Sequence, residues 1–137
     1  MMISTKGRYA LRVMLDLASR GDGFMSLKEV AEEQNISMKY LEAIVARLHK
    51  SGLVLSHRGK DGGYKLAKPA SAITVADILC SAEGSLLPVE CAGLENTCGR
   101  AEGCLTLPLW KALDRRIETY LSTVTLEDVL LGRVEAE

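Results

Sequence analysis

The sequence predicts a mostly α-helical fold, a winged helix-turn-helix followed by a C-terminal dimerisation helix. Three observations predict it: two helix starts joined by a very short connection, a glycine-rich hairpin directly after them, and a long amphipathic helix near the C-terminus. A chain of 137 residues, nearly half of them hydrophobic, is long enough to bury one core and to carry one appendage.

The first three helices are marked by start and stop signals. Helical spacing of apolar residues predicts the first helix over 4–20, with Gly21 as its stop. The second helix begins at 26–29, Ser-Leu-Lys-Glu, which has the pattern of a capping box. Ser37 then caps the third helix after a connection of two or three residues, which is the spacing of a helix-turn-helix.

The third helix has two unlike faces. Leu41, Ile44, Val45 and Leu48 fall on one stripe, which is predicted to face the core. The opposite face has two alanines between two lysines, a low surface with charge at either end that suits a DNA groove. Its residues are Lys39, Ala43, Ala46 and Lys50, flanked by Tyr40, Glu42 and Arg47. Taken alone, this pattern also fits an ordinary exposed helix face.

A two-stranded hairpin is predicted directly after the third helix. Residues 53–58 and 64–67 have the pattern of strands around the glycine-rich turn 59–63. A hairpin in this place is a wing, and the combination of wing and helix-turn-helix predicts nucleic-acid binding, although each part alone is common. The candidate DNA-contacting residues are Ser37, Lys39, Tyr40, Glu42, Ala43, Arg47 and Lys50 of the third helix, Arg58, Lys60 and Gly62 of the wing, and Lys6 of the first helix.

The charge distribution agrees with that prediction. Residues 1–68 carry 12 Lys and Arg against 7 Asp and Glu, whereas residues 69–137 carry 5 against 11. A basic front and an acidic back suit a module whose front meets a polyanion. A solvated surface with uneven charge is the alternative.

The C-terminal half is predicted to hold three more helices. A capping box opens a short helix over 74–82, a longer helix follows over 106–124, and a last short helix ends at Gly132. The long helix has an apolar arc, which we expect an identical helix of a second copy to cover. The arc consists of Leu109, Leu113, Ile117, Tyr120, Leu121 and Val124. Packing back onto its own chain is the alternative.

Three cysteines, Cys91, Cys98 and Cys104, lie within 14 residues of a predicted loop. Thiolates are the expected ligands of iron–sulfur clusters and of zinc, and the absence of a Cys-x-x-Cys pair makes structural zinc the weaker hypothesis. A metal-free thiol switch and three buried core cysteines also fit the pattern. Cys80 lies in the preceding short helix, where we expect it to be a packing residue, and it also remains a candidate fourth ligand.

Four segments together resemble the Rrf2 family of transcription regulators, over about residues 2–131. They are Ser-Thr-Lys-Gly-Arg-Tyr-Ala-Leu at 4–11, the third helix and its end at 37–53, Arg-Gly-Lys-Asp-Gly-Gly-Tyr at 58–64, and Cys-Leu-Thr-x-x-Leu-Trp at 104–110. The resemblance is strongest to members that control cluster-assembly genes. It implies a homodimer on a pseudo-palindromic operator in double-stranded DNA, a [2Fe-2S] cluster on Cys91, Cys98 and Cys104, and iron–sulfur assembly proteins as further partners.

The sequence departs from that pattern at the fourth ligand. Related members often have a histidine three residues after the third cysteine, where this chain has Leu107. Some relatives supply a carboxylate from the partner's first helix, where this chain has Arg8. The fourth ligand is therefore open among Cys80, a group from the other subunit, or the nearby carboxylates Glu90, Glu95 and Glu102. A regulator without a cluster, sensing through thiols or a protein partner, is the alternative function.

These observations divide the chain and exclude several classes of protein. We expect a winged DNA-binding region over 1–68, a short helix and cysteine-bearing sensing loop over 69–104, and the dimerisation helix and tail over 105–137. No nucleophile is paired with a base, so an enzyme is not expected. No apolar run approaches the roughly 18 residues of a membrane span, which predicts a cytoplasmic protein. A winged helix that binds protein instead of DNA is the rival class.

Overall fold

In the residues that it describes, 3–89 and 102–137, the computed structural model has six α-helices and one antiparallel hairpin. The elements are α1 (Thr5–Ser19), α2 (Leu27–Gln34), α3 (Met38–Lys50), β1 (Val54–His57), β2 (Gly63–Leu66), a 3₁₀ turn (Ala70–Ala72), α4 (Val75–Glu83), α5 (Leu107–Thr123) and α6 (Leu126–Leu130). The predicted class, a mostly helical winged helix-turn-helix, is confirmed. No helix of the described residues is long and apolar enough to span a membrane.

Side-chain caps fix where the helices begin. Thr74 and Thr125 each form a complete capping box, with Asp77 and Asp128 as the returning carboxylates. Ser26 also accepts from the backbone N–H of the third residue of its helix, but the predicted reciprocal bond is not formed there. The carboxylate of Glu29 instead receives the Ser26 hydroxyl at 3.2 Å and pairs with an arginine at the end of α1.

The core is built around α1. Its residues Ala10, Val13, Met14 and Leu17 are buried, and α1 packs against α2, α3, α4, α6 and β2. The predicted inward stripe of α3 is confirmed, since all four of its residues are at most 1% exposed. Burial of this many large apolar side chains is the main force that stabilises the fold.

The C-terminal end of the chain is joined to this core. Leu126 of α6 is fully buried, and its backbone N–H donates to the carbonyl of Ile73 at 2.8 Å. The N–H of Val75 donates to the carbonyl of Val124 at 2.8 Å, so that the segments before α4 and α6 run antiparallel beside each other. The winged region and the C-terminal helices therefore share one core.

The wing is anchored by a third extended segment. β1 and β2 pair from Val54↔Leu66 to His57↔Gly63. Met25, just before α2, exchanges two backbone hydrogen bonds with Tyr64, of 2.8 and 2.9 Å. Gly63, at a φ of +152°, lies so close to the Met25 carbonyl that a Cβ there would overlap it. This close approach aligns the wing with the start of the helix-turn-helix.

The long helix α5 differs from the others, because none of its residues, all of which the structure describes, is buried. It packs against α4. Half-buried side chains recur at the spacing of one helical face, at 107, 110, 114, 117, 121 and 124. The predicted apolar arc is therefore divided: Ile117, Leu121 and Val124 belong to the half-buried face, whereas the rest of the arc stays exposed.

Candidate nucleic-acid interface and cysteine site

The outward face of α3 is open to solvent. Ser37 caps the helix by accepting from the backbone N–H of Tyr40 at 3.2 Å. The four inward residues are buried, so the helix turns its remaining face outward. The exposed candidates on that face are Lys39, Glu42, Ala43, Ala46 and Lys50. No ion pair among the described residues occupies either lysine.

Two of the flanking candidates have partners within the fold. The half-buried ring of Tyr40 packs edge-on against Tyr9, with ring centroids 5.9 Å apart. Arg47 donates from its guanidinium to the carbonyl of Ala82 at 3.4 Å, and its own carbonyl accepts from the Ser81 hydroxyl at 3.1 Å. These contacts join α3 to α1 and α4, so both residues help to hold α3 in place.

The wing tip carries exposed cations. Arg58 and Lys60 are exposed and lie in the turn between the two strands. Gly62 is half-buried and lies against the carbonyl of His57, where a Cβ would overlap that oxygen. Small residues at this point let the hairpin close tightly, and Arg58, Lys60 and Asp61 are exposed around the turn.

The start of α1 is held by a residue that the sequence analysis missed. Glu83, at the end of α4, accepts from the Ser4 backbone N–H at 2.9 Å, the Ser4 hydroxyl at 2.7 Å and the Gly7 N–H at 2.9 Å. Burial alone raises the pKa of Glu83, but these hydrogen bonds and the charge of Lys6 outweigh it and lower that pKa. A Cβ at Gly7 would collide with the carboxylate.

That contact also defines the surroundings of Lys6. The side chain of Lys6 is half-buried, and Glu83 is an acidic neighbour within the fold. No local motif signals the contact, since Glu83 lies 79 residues from Ser4. Ser4 makes no side-chain cap hydrogen bond within α1, so Glu83 supplies the cap from α4 instead.

Of the three predicted metal-binding cysteines, the described residues include Cys104 alone; Cys91 and Cys98 lie outside them. Its sulfur lies 3.4 Å from the Thr106 hydroxyl, at the start of α5. Hydrogen bonds from the Thr106 side chain, then from the backbone of Thr106 and Leu107, lower the pKa of Cys104. A thiolate is thus favoured, as metal ligation or thiol chemistry requires.

Cys80 has a different environment. The prediction that it packs in the core is wrong, because its side chain lies on the exposed side of α4. Partial burial, followed by the nearby charges of Asp77 and Glu118, raises its pKa. Within residues 3–89 and 102–137, no three His, Cys, Asp or Glu side chains are grouped closely enough to hold a metal ion.

Comparison with known proteins now identifies the family. The Rrf2 family, described as iron-dependent transcriptional regulators, matches residues 3–131. The chain belongs to the Rrf2 family. It is 42% identical to the regulator IscR of Yersinia enterocolitica over 131 residues, which cover 95% of this chain and 79% of that protein.

Solved structures of the family share the fold. The structure of CymR, the global cysteine regulator of B. subtilis, matches with a TM-score of 0.74 at 40% identity, covering 98% of this chain and 99% of that one. T. potens IscR matches with a TM-score of 0.77 at 38% identity, covering 100% and 93%. Membership in the Rrf2 family therefore confirms a transcriptional regulator, as the sequence predicted, and not an enzyme.

Proposed function

We propose that this Rrf2-family regulator binds a pseudo-palindromic operator as a homodimer and senses iron–sulfur cluster status through its cysteine-bearing segment. Its targets on this proposal are cluster-assembly or related genes. The joint exposure of the α3 face and the cationic wing tip is the observation that carries the DNA-binding part. Three cysteines within 14 residues, one of them with a pKa lowered by hydrogen bonds from Thr106 and Leu107, support the sensing part.

On DNA, the two exposed elements have separate tasks. The start of a recognition helix lies deepest in the major groove, so Glu42 and Ala43 are placed to meet base edges. Glu42 accepts a hydrogen bond from a cytosine amine in this arrangement. Lys39 and Lys50, at either end of the face, suit phosphates, and the wing cations Arg58 and Lys60 suit the adjacent minor groove.

A second copy of the chain is proposed to cover the exposed strip of α5. Leu109 is 58% exposed, Leu113 37% and Tyr120 51%, an unusual amount of apolar surface on one helix. The strip continues through smaller or aliphatic-stemmed residues at coiled-coil-like spacing, which allows a second helix to approach. Its residues are Leu109, Ala112, Leu113, Arg116, Tyr120 and Thr123. Two-fold pairing would repeat the α3 surface, as a pseudo-palindromic operator requires.

Removing cations from the recognition surface tests DNA binding. Lys39→Ala with Arg58→Ala should weaken binding to a duplex from the region upstream of the protein's own gene and flatten its salt dependence, by about 0.9 in slope for each phosphate that is no longer bound. Fluorescence anisotropy over a salt series measures both. Lys111→Ala with Arg115→Ala, which removes the same charge from α5, is the matched control. Equal affinity for the two double variants would contradict the assignment.

Three cysteine thiolates suit an iron–sulfur cluster, whereas the fourth ligand of such a cluster is not identified. Cys91, Cys98 and Cys104 would hold a [2Fe-2S] cluster, and Leu107 cannot supply the fourth ligand because it has no donor atom. The exposed carboxylate of Glu102 lies near Cys104 in the sequence, while Glu90 and Glu95 lie outside the described residues. A bound cluster supplies redox and oxygen sensitivity, and the chain's own contribution is a low-pKa thiol at the start of α5.

Anaerobic reconstitution with ferrous iron and sulfide tests the cluster. Wild-type protein should gain visible absorption, and Cys104→Ser should abolish it because a ligand is removed. Cys80→Ser tests whether Cys80 is the open fourth ligand: we expect unchanged absorption, because Cys80 lies on the exposed side of α4, and an altered spectrum would make it that ligand. Protein that stays colourless, or that takes up zinc alone, would refute cluster binding.

A cluster-free thiol or partner sensor is the second candidate. The lowered pKa of Cys104 and the missing imidazole at 107 favour it, because a lower pKa makes the reactive thiolate form of a cysteine easier to reach without a metal. The reconstitution experiment separates the two functions. A colourless wild-type protein whose DNA affinity falls after peroxide treatment, with Cys104→Ser insensitive, would support the thiol sensor.

A further inference from the structure

The side of the wing turned away from the core carries an unusual group of side chains. Strand alternation places Val54, Ser56, Tyr64 and Leu66 on the inner side, where Tyr64 and Leu66 pack against the core. The opposite side is formed by the remaining strand residues together with Phe24 from the third extended segment. We name this surface the outer wing face; it consists of Phe24, Leu55, His57 and Lys65.

Phe24 organises the two polar residues of the outer wing face. Its ring centroid lies 5.3 Å from that of His57, with the planes tilted by 39°. The ammonium of Lys65 lies 4.9 Å from the centroid of the same ring, a cation–π contact. The chain's single phenylalanine is thus 36% exposed and in contact with two potential hydrogen-bond donors, while Met25 next to it is buried.

The surroundings of this cluster are positive. The wing and its exit carry Arg58, Lys60, Lys65 and Lys68 against Asp61 alone, with Asp22 near Lys65 in the turn after α1. No ion pair among the described residues engages any of these four cations. His57 directly precedes Arg58, so the outer wing face is continuous with the cationic tip. Charge complementarity therefore favours a polyanion over an apolar or basic protein surface.

We propose that the outer wing face is a second DNA-contacting surface, in which Lys65 and His57 donate to backbone phosphates beside the groove that the wing tip enters. Phe24 is the positioning residue, because its ring holds both side chains before DNA arrives and so lowers the entropy lost on binding. The inference rests on the proposed DNA-binding function. It extends the DNA-binding surface beyond α3 and the tip to residues that no helix-turn-helix pattern indicates.

Salt-dependent DNA binding tests this role. Fluorescence anisotropy would compare wild type, Lys65→Gln and Phe24→Leu on a duplex from the region upstream of the protein's own gene and on a shuffled duplex. Lys65→Gln should lower affinity for both duplexes alike, by roughly 8-fold at 0.1 M salt for one phosphate released, and reduce the salt slope by about 0.9. Phe24→Leu should weaken binding by a smaller factor with less change of slope, because the cation remains but is no longer held.

Lys111→Gln, which removes the same charge from α5, should leave affinity and slope unchanged. Thermal unfolding checks that each variant is folded. If Phe24→Leu does not fold, Lys65→Gln alone still decides the test. Wild-type protein that binds DNA while Lys65→Gln has an unchanged slope would overturn this inference alone. Failure of wild type to bind either duplex would overturn the proposed function as well. If Lys65→Gln keeps the DNA affinity of wild type but loses transcriptional control in a purified system, the outer wing face would be assigned to a protein partner instead.

Discussion

Helices α3 and α5 are both amphipathic, yet their apolar faces lie in opposite environments. The 13-residue α3 buries four side chains completely within its own chain, whereas the 17-residue α5 buries none. The apolar face of α3 is thus covered by α1, α2, α4 and β1, while α5 has one face half-covered by α4 and another left open. An apolar stripe shows that a helix needs a cover but does not show which molecule provides it.

Charging the open face of α5 is expected to have the largest effect. Leu109→Lys with Leu113→Lys would place four unpaired charges in a two-fold seam, and each costs several kcal/mol to bury. We expect the dimer dissociation constant to rise by more than roughly 100-fold, measured by sedimentation equilibrium. Glu118→Lys with Ser122→Lys adds the same number of lysines on the opposite side of α5 and should leave the dimer intact. A wild-type protein that is monomeric at micromolar concentration would contradict the dimer itself.

Removing the Glu83 carboxylate is expected to have an intermediate effect, because it joins the end of α4 to the start of α1. Glu83→Ala removes the cap of α1 and should lower the free energy of unfolding by about 1–2 kcal/mol. Urea denaturation measures this, with Glu32→Ala on the exposed face of α2 as the control. Equal stability of these two variants would show that the hydrogen bonds to Ser4 and Gly7 contribute nothing.

The Glu83 carboxylate should also make the difference in unfolding free energy between wild type and a Glu83 variant depend on pH. The pKa of Glu83 is lowered in the folded protein, so its contribution is present above the unfolded value of about 4.3 and is lost as pH falls through the folded value. The stability gap between wild type and Glu83→Gln should therefore close as the solution is acidified. A gap that stays constant from neutral to acid pH would assign the effect to packing instead of charge.

Local chemistry explains how much of this fold the sequence could predict. The starts of α4 and α6 are fixed by the capping residues Thr74 and Thr125, whose side chains bond within three residues. These two boundaries could therefore be predicted closely. Glu83 and the cluster around Phe24 could not be, because their partners are far away in the sequence and meet only after folding. The division of the α5 arc depends on how α5 is rotated against α4, which periodicity alone does not determine.

The candidate site shows the same limit. The exposure of Lys39, Glu42 and Lys50 followed from the buried stripe of α3, since one face fixes the other. The packing of Tyr40 on Tyr9 and the bond from Arg47 to α4 could not be read from that stripe, because both depend on neighbouring helices. The error at Cys80 has the same origin, since Ile78, Leu79 and Ala82 are buried while Cys80 lies on the outer side of α4.

The smallest expected effect is a difference in alkylation rate between Cys104, just before α5, and Cys80, in α4. In a Cys91→Ser, Cys98→Ser background, iodoacetamide at neutral pH should alkylate Cys104 several-fold faster than Cys80, because the thiolate is the nucleophile and only Cys104 has a lowered pKa. Peptide mass spectrometry would follow both sites in one sample. Thr106→Val removes the hydroxyl that favours the thiolate and should slow Cys104 while leaving Cys80 unchanged. Alkylation of Cys80 at an equal rate would show that the start of α5 does not activate its cysteine, and the support that Cys104 gives to either sensing mechanism would be lost.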